Sequence, residues 1–83
     1  MKPIADVAPS EPHVTNYDLS HLAVYARLLD ASSEGAPWEK AARIVLGLDP
    51  LRDTRAKAAY DSHLARARWF THTGYKLLLL QED

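Results

Sequence analysis

Hydrophobic residues recur at helical spacing in the first long segment of the chain, from Asn16 to about Ala31. Thr15 or Asn16 can cap a helix here, and Asp18 in the first turn is favourable to the helix dipole. One stripe is predicted to face the core, with Tyr25 at its edge: Leu19, Leu22, Ala26 and Leu29. A second set lies beside it: Tyr17, His21, Val24 and Leu28. Because this arc is wider than one neighbouring helix requires, it needs a further contact, inside the protein or with a partner.

A second helix is predicted after the loop Ser32–Pro37, with Pro37 at its first position because proline has no N–H to leave unpaired. Its apolar residues again follow helical spacing: Trp38, Ala41, Ala42, Val45 and Leu48. Gly47–Pro50 weakens the helix. The connection Gly47–Arg52 is longer than a tight helix-turn-helix corner of about three or four residues. It is compatible with an extended-turn variant of that motif.

A third helix, the longest, is predicted over about Thr54–His72, with Asp53 as its cap and Gly74 ending it in a positive-φ conformation. It carries two opposite contact faces. One consists of Ala56, Tyr60, Leu64, Ala67 and Thr71, and the other of Ala58, Ala65 and Trp69. Residues 75–83 are predicted to form a final turn or two of helix.

These patterns together predict an all-α protein, a small helical bundle whose long connection before the third helix leaves a variant of the helix-turn-helix arrangement open. Its single domain is expected over residues 16–83. Residues 1–15 contain three prolines among scattered small residues and form no apolar stripe. They are predicted to be an extended or disordered tail.

Composition narrows the classes of function. The chain has no cysteine, and so neither disulfides nor thiolate ligands for zinc. Its first residues lack the apolar core of a signal peptide, and no run of about 18 apolar residues could span a membrane. We therefore expect a cytoplasmic protein that does not contact membranes. Ten basic residues against eleven acidic ones give a net charge of −1, so the whole molecule has no strong field for attracting phosphates.

Catalytic chemistry has little support in the sequence. Asp61, Ser62 and His63 are the residue types of a nucleophilic triad, but adjacent helical residues point about 100° apart and cannot form its hydrogen-bonded chain. The four histidines lack the spacing of a helical metal site. The three glycines lie too far apart for a phosphate-binding loop. We expect no enzyme activity, cofactor, metal ion or small-molecule substrate.

Basic residues are concentrated around the third helix, where five of them accompany Asp53 and Asp61. This segment is a candidate DNA-binding surface, since affinity for DNA depends on the number of phosphates neutralised. Amphipathic helices also carry such charge as an ordinary solvated face. The candidate DNA-binding residues are Arg52, Arg55, Lys57, Arg66 and Arg68.

Leu77–Leu80 is too short to cross a bilayer. Four consecutive apolar residues cover the whole circumference of a helix, so they cannot all face one core. The segment either closes the bottom of the bundle or forms an interaction patch, and the two can coexist.

The stretch YDSHLARARWFTHTGYKLLL, Tyr60–Leu79, resembles the C-terminal signature of a proteobacterial family, the RovC-like domains of unknown function, found in regulators of integrative and conjugative elements. The resemblance extends to about Tyr17 if LGLDP, Leu46–Pro50, corresponds to the family's inter-helix turn. It implies a helix-turn-helix variant with an extended turn. The chain lacks the second domain and the basic surface of the family's larger activators, and is most similar to its small stand-alone antiactivators.

The resemblance implies an antiactivator that occupies the N-terminal domain of a transcriptional activator, in place of the activator's own helical domain. Such a protein acts through protein contact, with weak or absent DNA binding. A small DNA-binding transcriptional regulator is the alternative. The candidate partner-binding residues are Tyr17, His21, Leu28, Trp69, Tyr75, Leu77 and Leu80.

Overall fold

The computed structural model describes residues 4–80, and the regular secondary structure within them is helical without any strand, as predicted. Five α-helices follow one another, two of them continued by a π-helical turn. The helices are α1 (Asn16–Ser20), α2 (Leu22–Ser33), α3 (Trp38–Ala41, continued as a π-helix by Ala42–Leu46), α4 (Ala56–Trp69, continued as a π-helix by Phe70–Gly74) and α5 (Tyr75–Leu80).

The first predicted helix is divided in two at His21. It begins as predicted, because the Thr15 hydroxyl accepts a hydrogen bond from the Asp18 N–H while the Asp18 carboxylate accepts one from the Thr15 N–H. At His21 the backbone leaves the helical region, with φ −124° and ψ 24°. The His21 ring lies 2.8 Å from the Tyr17 carbonyl and takes the hydrogen bond that the His21 backbone N–H would make in a continuous helix.

The connection between α3 and α4 is long, as predicted. Gly47 ends the π-helical turn with φ 71°, a conformation that glycine adopts without steric strain. The Asp49 carbonyl then accepts hydrogen bonds from the N–H groups of Arg52 and Asp53. Helix α4 begins at Ala56, two residues later than predicted, and the Asp53 carboxylate accepts from the Arg55 N–H just before it.

The core lies between α2, α3 and α4. Its buried hydrophobic cluster is Val24, Leu28, Ala41, Ala42, Val45, Leu46, Ala59, Tyr60 and Leu64. The prediction of which α2 face is buried was largely wrong. Leu19 and Leu22 are 46% and 40% exposed, and the set placed beside them supplies the core instead. The set Tyr17, His21, Val24 and Leu28 shares one face of a single helical wheel across the break, so periodicity located both apolar faces but not which of them meets α3 and α4.

Residues 4–15 have no regular secondary structure, which agrees with the extended form of the predicted tail. Residues 4–13, here called the N-terminal strap, nevertheless lie against the helices. The Ala5 N–H donates to the Tyr17 hydroxyl, the Ala8 N–H donates to the Ser62 hydroxyl, and Ala8 is buried. Parts of the predicted tail therefore contact the helices, because helical side chains accept hydrogen bonds from its backbone N–H groups.

Gly74 does not end the third helix, contrary to the prediction. Its φ is not positive, and the chain continues through it into α5. Gly74 is instead required by close packing, since a Cβ atom there would lie 2.5 Å from Cζ3 of Trp69. The absence of a side chain lets the indole ring lie against the backbone.

Candidate protein-interaction surface

Helix α5 carries three of the exposed large hydrophobic residues of residues 4–80. None of its six residues is buried, and Tyr75, Leu79 and Leu80 are 48%, 51% and 80% exposed. It packs substantially only against the preceding turn, Phe70–Gly74. Leucines lie on every side of α5, a pattern typical of helices that become fully enclosed. Leu77 and Leu78 are half-buried while Leu79 and Leu80 are exposed, so the segment combines partial closure of the bundle with an exposed apolar patch.

Trp69 connects α5 to the rest of the domain. Its ring packs on Gly74 on one side and lies 3.8 Å from the guanidinium carbon of Arg66 on another. The sequence placed Trp69 opposite the Tyr60 face and required another contact for it, and the structure supplies that contact within the chain. Arg66 and Gly74 together fix the position of the indole at the start of α5.

The seven predicted partner-binding residues fall into three groups. Tyr75, Leu77 and Leu80 lie together on α5, with Leu77 half-buried. Trp69 and Tyr17 are half-buried and take part in contacts within the domain.

For His21 and Leu28 the prediction was wrong. His21 is 2% exposed and stacks on the Tyr17 ring, with centroids 3.9 Å apart. Leu28 is completely buried in the core. Both residues stabilise the domain from inside and are inaccessible to a partner.

A buried ion pair joins α1 to α4. Asp18 and Arg66 are 0% and 4% exposed, and two guanidinium nitrogens of Arg66 lie 2.9 and 2.7 Å from the two carboxylate oxygens of Asp18. The Tyr25 hydroxyl donates to the same carboxylate at 2.6 Å. Arg66 also donates to the carbonyls of Glu11 and His13 in the chain that precedes α1. Each charged group therefore has several partners, which is the condition for tolerating burial of an ion pair.

This network shifts the ionisation of its members. Burial alone would raise the pKa of Asp18, but hydrogen bonds from Arg66, Tyr25 and Thr15 stabilise the carboxylate and lower the pKa to about 2. Burial raises the pKa of Tyr25, and its hydrogen bond to Asp18 raises it further. The hydrogen bonds to Asp18 raise the pKa of Arg66. Asp18 and Arg66 are thus fully charged, and Tyr25 neutral, at neutral pH.

A second polar chain runs from the strap into the interior. The Ala5 N–H donates to the Tyr17 hydroxyl, which is hydrogen-bonded to Nε2 of the buried His63. His63 Nδ1 donates to the Ala59 carbonyl at 2.7 Å, so Nε2 of the neutral ring accepts the Tyr17 proton. Burial lowers the pKa of His63, and the nearby His21 lowers it further. The strap is therefore joined to a neutral histidine.

The structure also corrects the candidate DNA-binding surface at Arg66. Its guanidinium is buried against Asp18 and is inaccessible to phosphates. This role could not be excluded from sequence, because the partner lies 48 positions away.

Acceptors within the protein engage the other four candidate cations. Arg55 pairs with Asp53 and Asp6 at 2.8 Å each, and hydrogen bonds from Arg55 lower the pKa of Asp53 to about 2. Lys57 lies 3.2 Å from Asp61 and 4.9 Å from the centroid of the Trp38 ring.

Arg52 and Arg68 have weaker contacts. Arg52 lies 3.7 Å from Asp49, and Arg68 donates to the Ser32 hydroxyl at 3.1 Å. These exposed pairs each contribute little stability. Carboxylates nevertheless lie beside Arg52, Arg55 and Lys57. The basic segment therefore does not present an uncompensated positive surface.

Asp61, Ser62 and His63 do not converge on one another. The exposed Asp61 pairs with Lys57, the Ser62 hydroxyl donates to the Ala59 carbonyl, and His63 is directed into the interior. Within residues 4–80 there is also no group of three or more histidine and acidic residues arranged to hold a metal ion. Over the same residues, no helix combines the length and apolar character needed to span a membrane.

Sequence reasoning did not find the cleft between α2 and α3. Its volume is about 290 Å³, and Ile44 at its edge is 68% exposed. Alanines and Val45 form its apolar lining, and four charged residues surround it: Arg27, Asp30, Glu34 and Lys40. Ile44 is an apolar residue outside the helically spaced apolar set of the second predicted helix. That departure was the signal available in the sequence.

Comparison with known proteins identified no relative of this chain. No family model matches the chain, and a search of curated proteins finds no match. The resemblance of Tyr60–Leu79 to the RovC-like family therefore remains an expectation from the residues themselves.

Proposed function

We propose that this protein is a cytoplasmic, non-catalytic regulator that acts by binding another protein. Specifically, it is an antiactivator that occupies the N-terminal domain of a transcriptional activator of a conjugative element. The activator's own helical domain is thereby excluded, and transcription of the transfer genes is not activated. The sequence resemblance supports the activator as the partner. The exposed apolar residues of α5 support action through protein contact.

The observation that carries the proposal is the exposure of apolar side chains on α5, none of whose six residues is buried within residues 4–80. Tyr75, Leu79 and Leu80 expose a continuous apolar surface at the end of the α4–α5 rod. Contiguous apolar surface of this kind marks sites of protein association. Burying an otherwise exposed leucine contributes about 1.5–3 kcal/mol to binding. The leucines of this short helix can therefore act as anchors for a partner protein.

Charge favours protein contact over DNA contact. Arg66 is sequestered by Asp18, and Arg55 and Lys57 each have a carboxylate partner. Phosphates would have to compete with those carboxylates, while the net charge of −1 adds no attraction.

The proposal is tested by co-purification of the full chain with the activator encoded on the same conjugative element, in the absence of DNA. A Leu79→Asp/Leu80→Asp double variant places charges on α5. We expect it to weaken binding at least about 100-fold, because two anchors are lost and two charges would be buried. The matched control is Leu51→Asp, since Leu51 is an 89% exposed leucine outside α5.

Two further measurements separate the outcomes. Circular dichroism and thermal unfolding check that each variant keeps its fold, which we expect because the substituted residues are exposed. A DNA-binding titration at low salt tests the alternative function. Failure of the wild-type chain to bind the activator would overturn the antiactivator proposal. Tight, salt-dependent DNA binding that is lost on substitution of Arg52 and Arg68 would replace it with the DNA-binding alternative.

A further inference from the structure

Two features of the surface have complementary shape and chemistry. Leucines lie around most of the circumference of α5, so a flat surface would cover only part of them, whereas a concave site would enclose them. The cleft between α2 and α3 is a concave apolar site. Its volume of about 290 Å³ equals roughly ten water-sized volumes, which is enough to hold two or three leucine side chains.

The charges around the two features also match. Within residues 4–80, Lys76 on α5 makes no ion pair, and neither do Asp30 and Glu34 beside the cleft. In the sequence the apolar run of α5 is preceded by the cation Lys76 and followed by two acidic residues, Glu82 and Asp83. The cleft carries both anions and cations, the latter Arg27 and Lys40. The cation Lys76 on α5 and the anions Asp30 and Glu34 beside the cleft can therefore pair when the helix binds there.

One molecule does not fill its own cleft. Among the helices of residues 4–80, the main contact of α5 is with Phe70–Gly74, which continues α4, and α5 has no substantial contact with α2 or α3. The α5 residues remain exposed or half-exposed, and Ile44 beside the cleft is 68% exposed. Only a second molecule can bring α5 and the cleft together.

We propose that the protein self-associates head to tail, with α5 of one copy inserted into the α2–α3 cleft of the next copy. Leu79 and Leu80 enter the cleft beside Ile44 and Val45, and Lys76 pairs with Asp30 or Glu34. The contact is heterologous, so each bound copy leaves one α5 and one cleft unoccupied and a further copy can add. Self-association and binding of the activator both use α5 and therefore compete.

The interface is small, so the association is weak. A helix of six residues buries less than the roughly 800 Å² per partner of stable complexes, and a Kd of about 0.1–1 mM follows. The protein is then monomeric when dilute and associates when abundant. This keeps α5 accessible to the activator at low concentration.

Sedimentation of the full chain over a concentration series tests the inference. The wild type is expected to show an average mass that rises continuously with concentration. Leu80→Asp and Ile44→Asp should each remain monomeric, because each charge blocks one half of the contact. Leu51→Asp, the exposed leucine outside both features, should behave as the wild type.

A mixture of the two monomeric variants gives the decisive result. Leu80→Asp keeps an intact cleft and Ile44→Asp keeps an intact α5, so together they should form a heterodimer that grows no further. An α5-to-α5 dimer predicts instead that Ile44→Asp associates normally and that the mixture gains nothing, which would overturn the proposal. A wild type that stays monomeric up to about 1 mM would also overturn it, since the expected Kd lies below that concentration.

The outcome is distinguishable from that of the antiactivator proposal. Ile44→Asp loses self-association but retains α5 and should still bind the activator. Loss of activator binding in this variant, with its fold intact, would show that the cleft belongs to the activator site and not to a contact between copies.

Discussion

At the scale of single residues, Asp18 and Arg66 are the pair on which most of the interior polar contacts depend. Asp18 receives hydrogen bonds from Arg66, Tyr25 and Thr15, and Arg66 also holds two backbone carbonyls before α1. Helical periodicity marks Asp18 only as a first-turn acid, because its partner is distant in the sequence. The sequence thus predicts the cap but not the burial.

Replacement of Asp18 tests the pair. Asp18→Ala leaves the Arg66 guanidinium buried without its counter-ion, and we expect a loss of about 3–5 kcal/mol in the free energy of unfolding. Arg66→Met in the same background should recover part of the loss, because it removes the uncompensated charge. Urea denaturation measures both values. Equal stability of Asp18→Ala and wild type would contradict the role assigned to the pair.

Acid should weaken the protein through the same carboxylate. The pKa of Asp18 is about 2 in the folded protein and 3.8 in its ordinary environment, so the unfolded chain binds a proton first as pH falls. The stabilisation is therefore complete above about pH 4 and is lost between about pH 4 and pH 2, with a total of roughly 2 kcal/mol. Asp18→Asn, which cannot titrate, should show a smaller decline over this interval. Parallel pH profiles of the two proteins would contradict the assignment.

At the scale of elements, the third helix shows best what the sequence could and could not predict. Its existence and its core face follow from periodicity, since Tyr60 and Leu64 reach the core. The predicted second contact face was wrong as a face, because Ala58 and Ala65 are exposed and only Trp69 of that set is half-buried, against Arg66 and Gly74. The role of Gly74 was not predictable. A glycine after a helical run usually adopts a positive φ, and only the indole packed on its backbone reveals a steric reason instead.

Gly74→Ala tests this reason. Alanine has the higher helix propensity by about 1 kcal/mol, so on propensity alone the substitution would stabilise the helix. The new Cβ would however lie 2.5 Å from Cζ3 of Trp69, and we expect a net destabilisation of about 1–3 kcal/mol. Tryptophan fluorescence should shift as the indole moves. Trp69→Leu should abolish the effect of Gly74→Ala, and a stabilised single variant would contradict the packing argument.

At the scale of the whole molecule, periodicity identified the helical segments but not which surfaces meet. The core faces of α3 and α4 follow from apolar spacing, since Ala41, Val45 and Leu64 are buried as predicted. The buried face of α2 does not, because the segment carries two adjacent apolar sets and periodicity alone does not determine which of them meets α3 and α4. The strap was also missed, since its contacts are made by backbone N–H and carbonyl groups that any residue carries.

The strap makes several contacts with the helices, whereas α5 has no buried residue. Truncation of each segment should therefore change the stability of the protein by different amounts. Removing residues 1–13 withdraws the buried Ala8 and the carbonyls that Arg66 binds, and we expect a loss of about 2 kcal/mol. Removing residues 77–83 withdraws half-exposed and exposed leucines with no partner in the core, and should change stability by less than about 1 kcal/mol. Urea denaturation of both truncated chains makes the comparison. If the second truncation proved the more damaging, α5 would be part of the folding core, and its leucines would not be a surface kept for another protein.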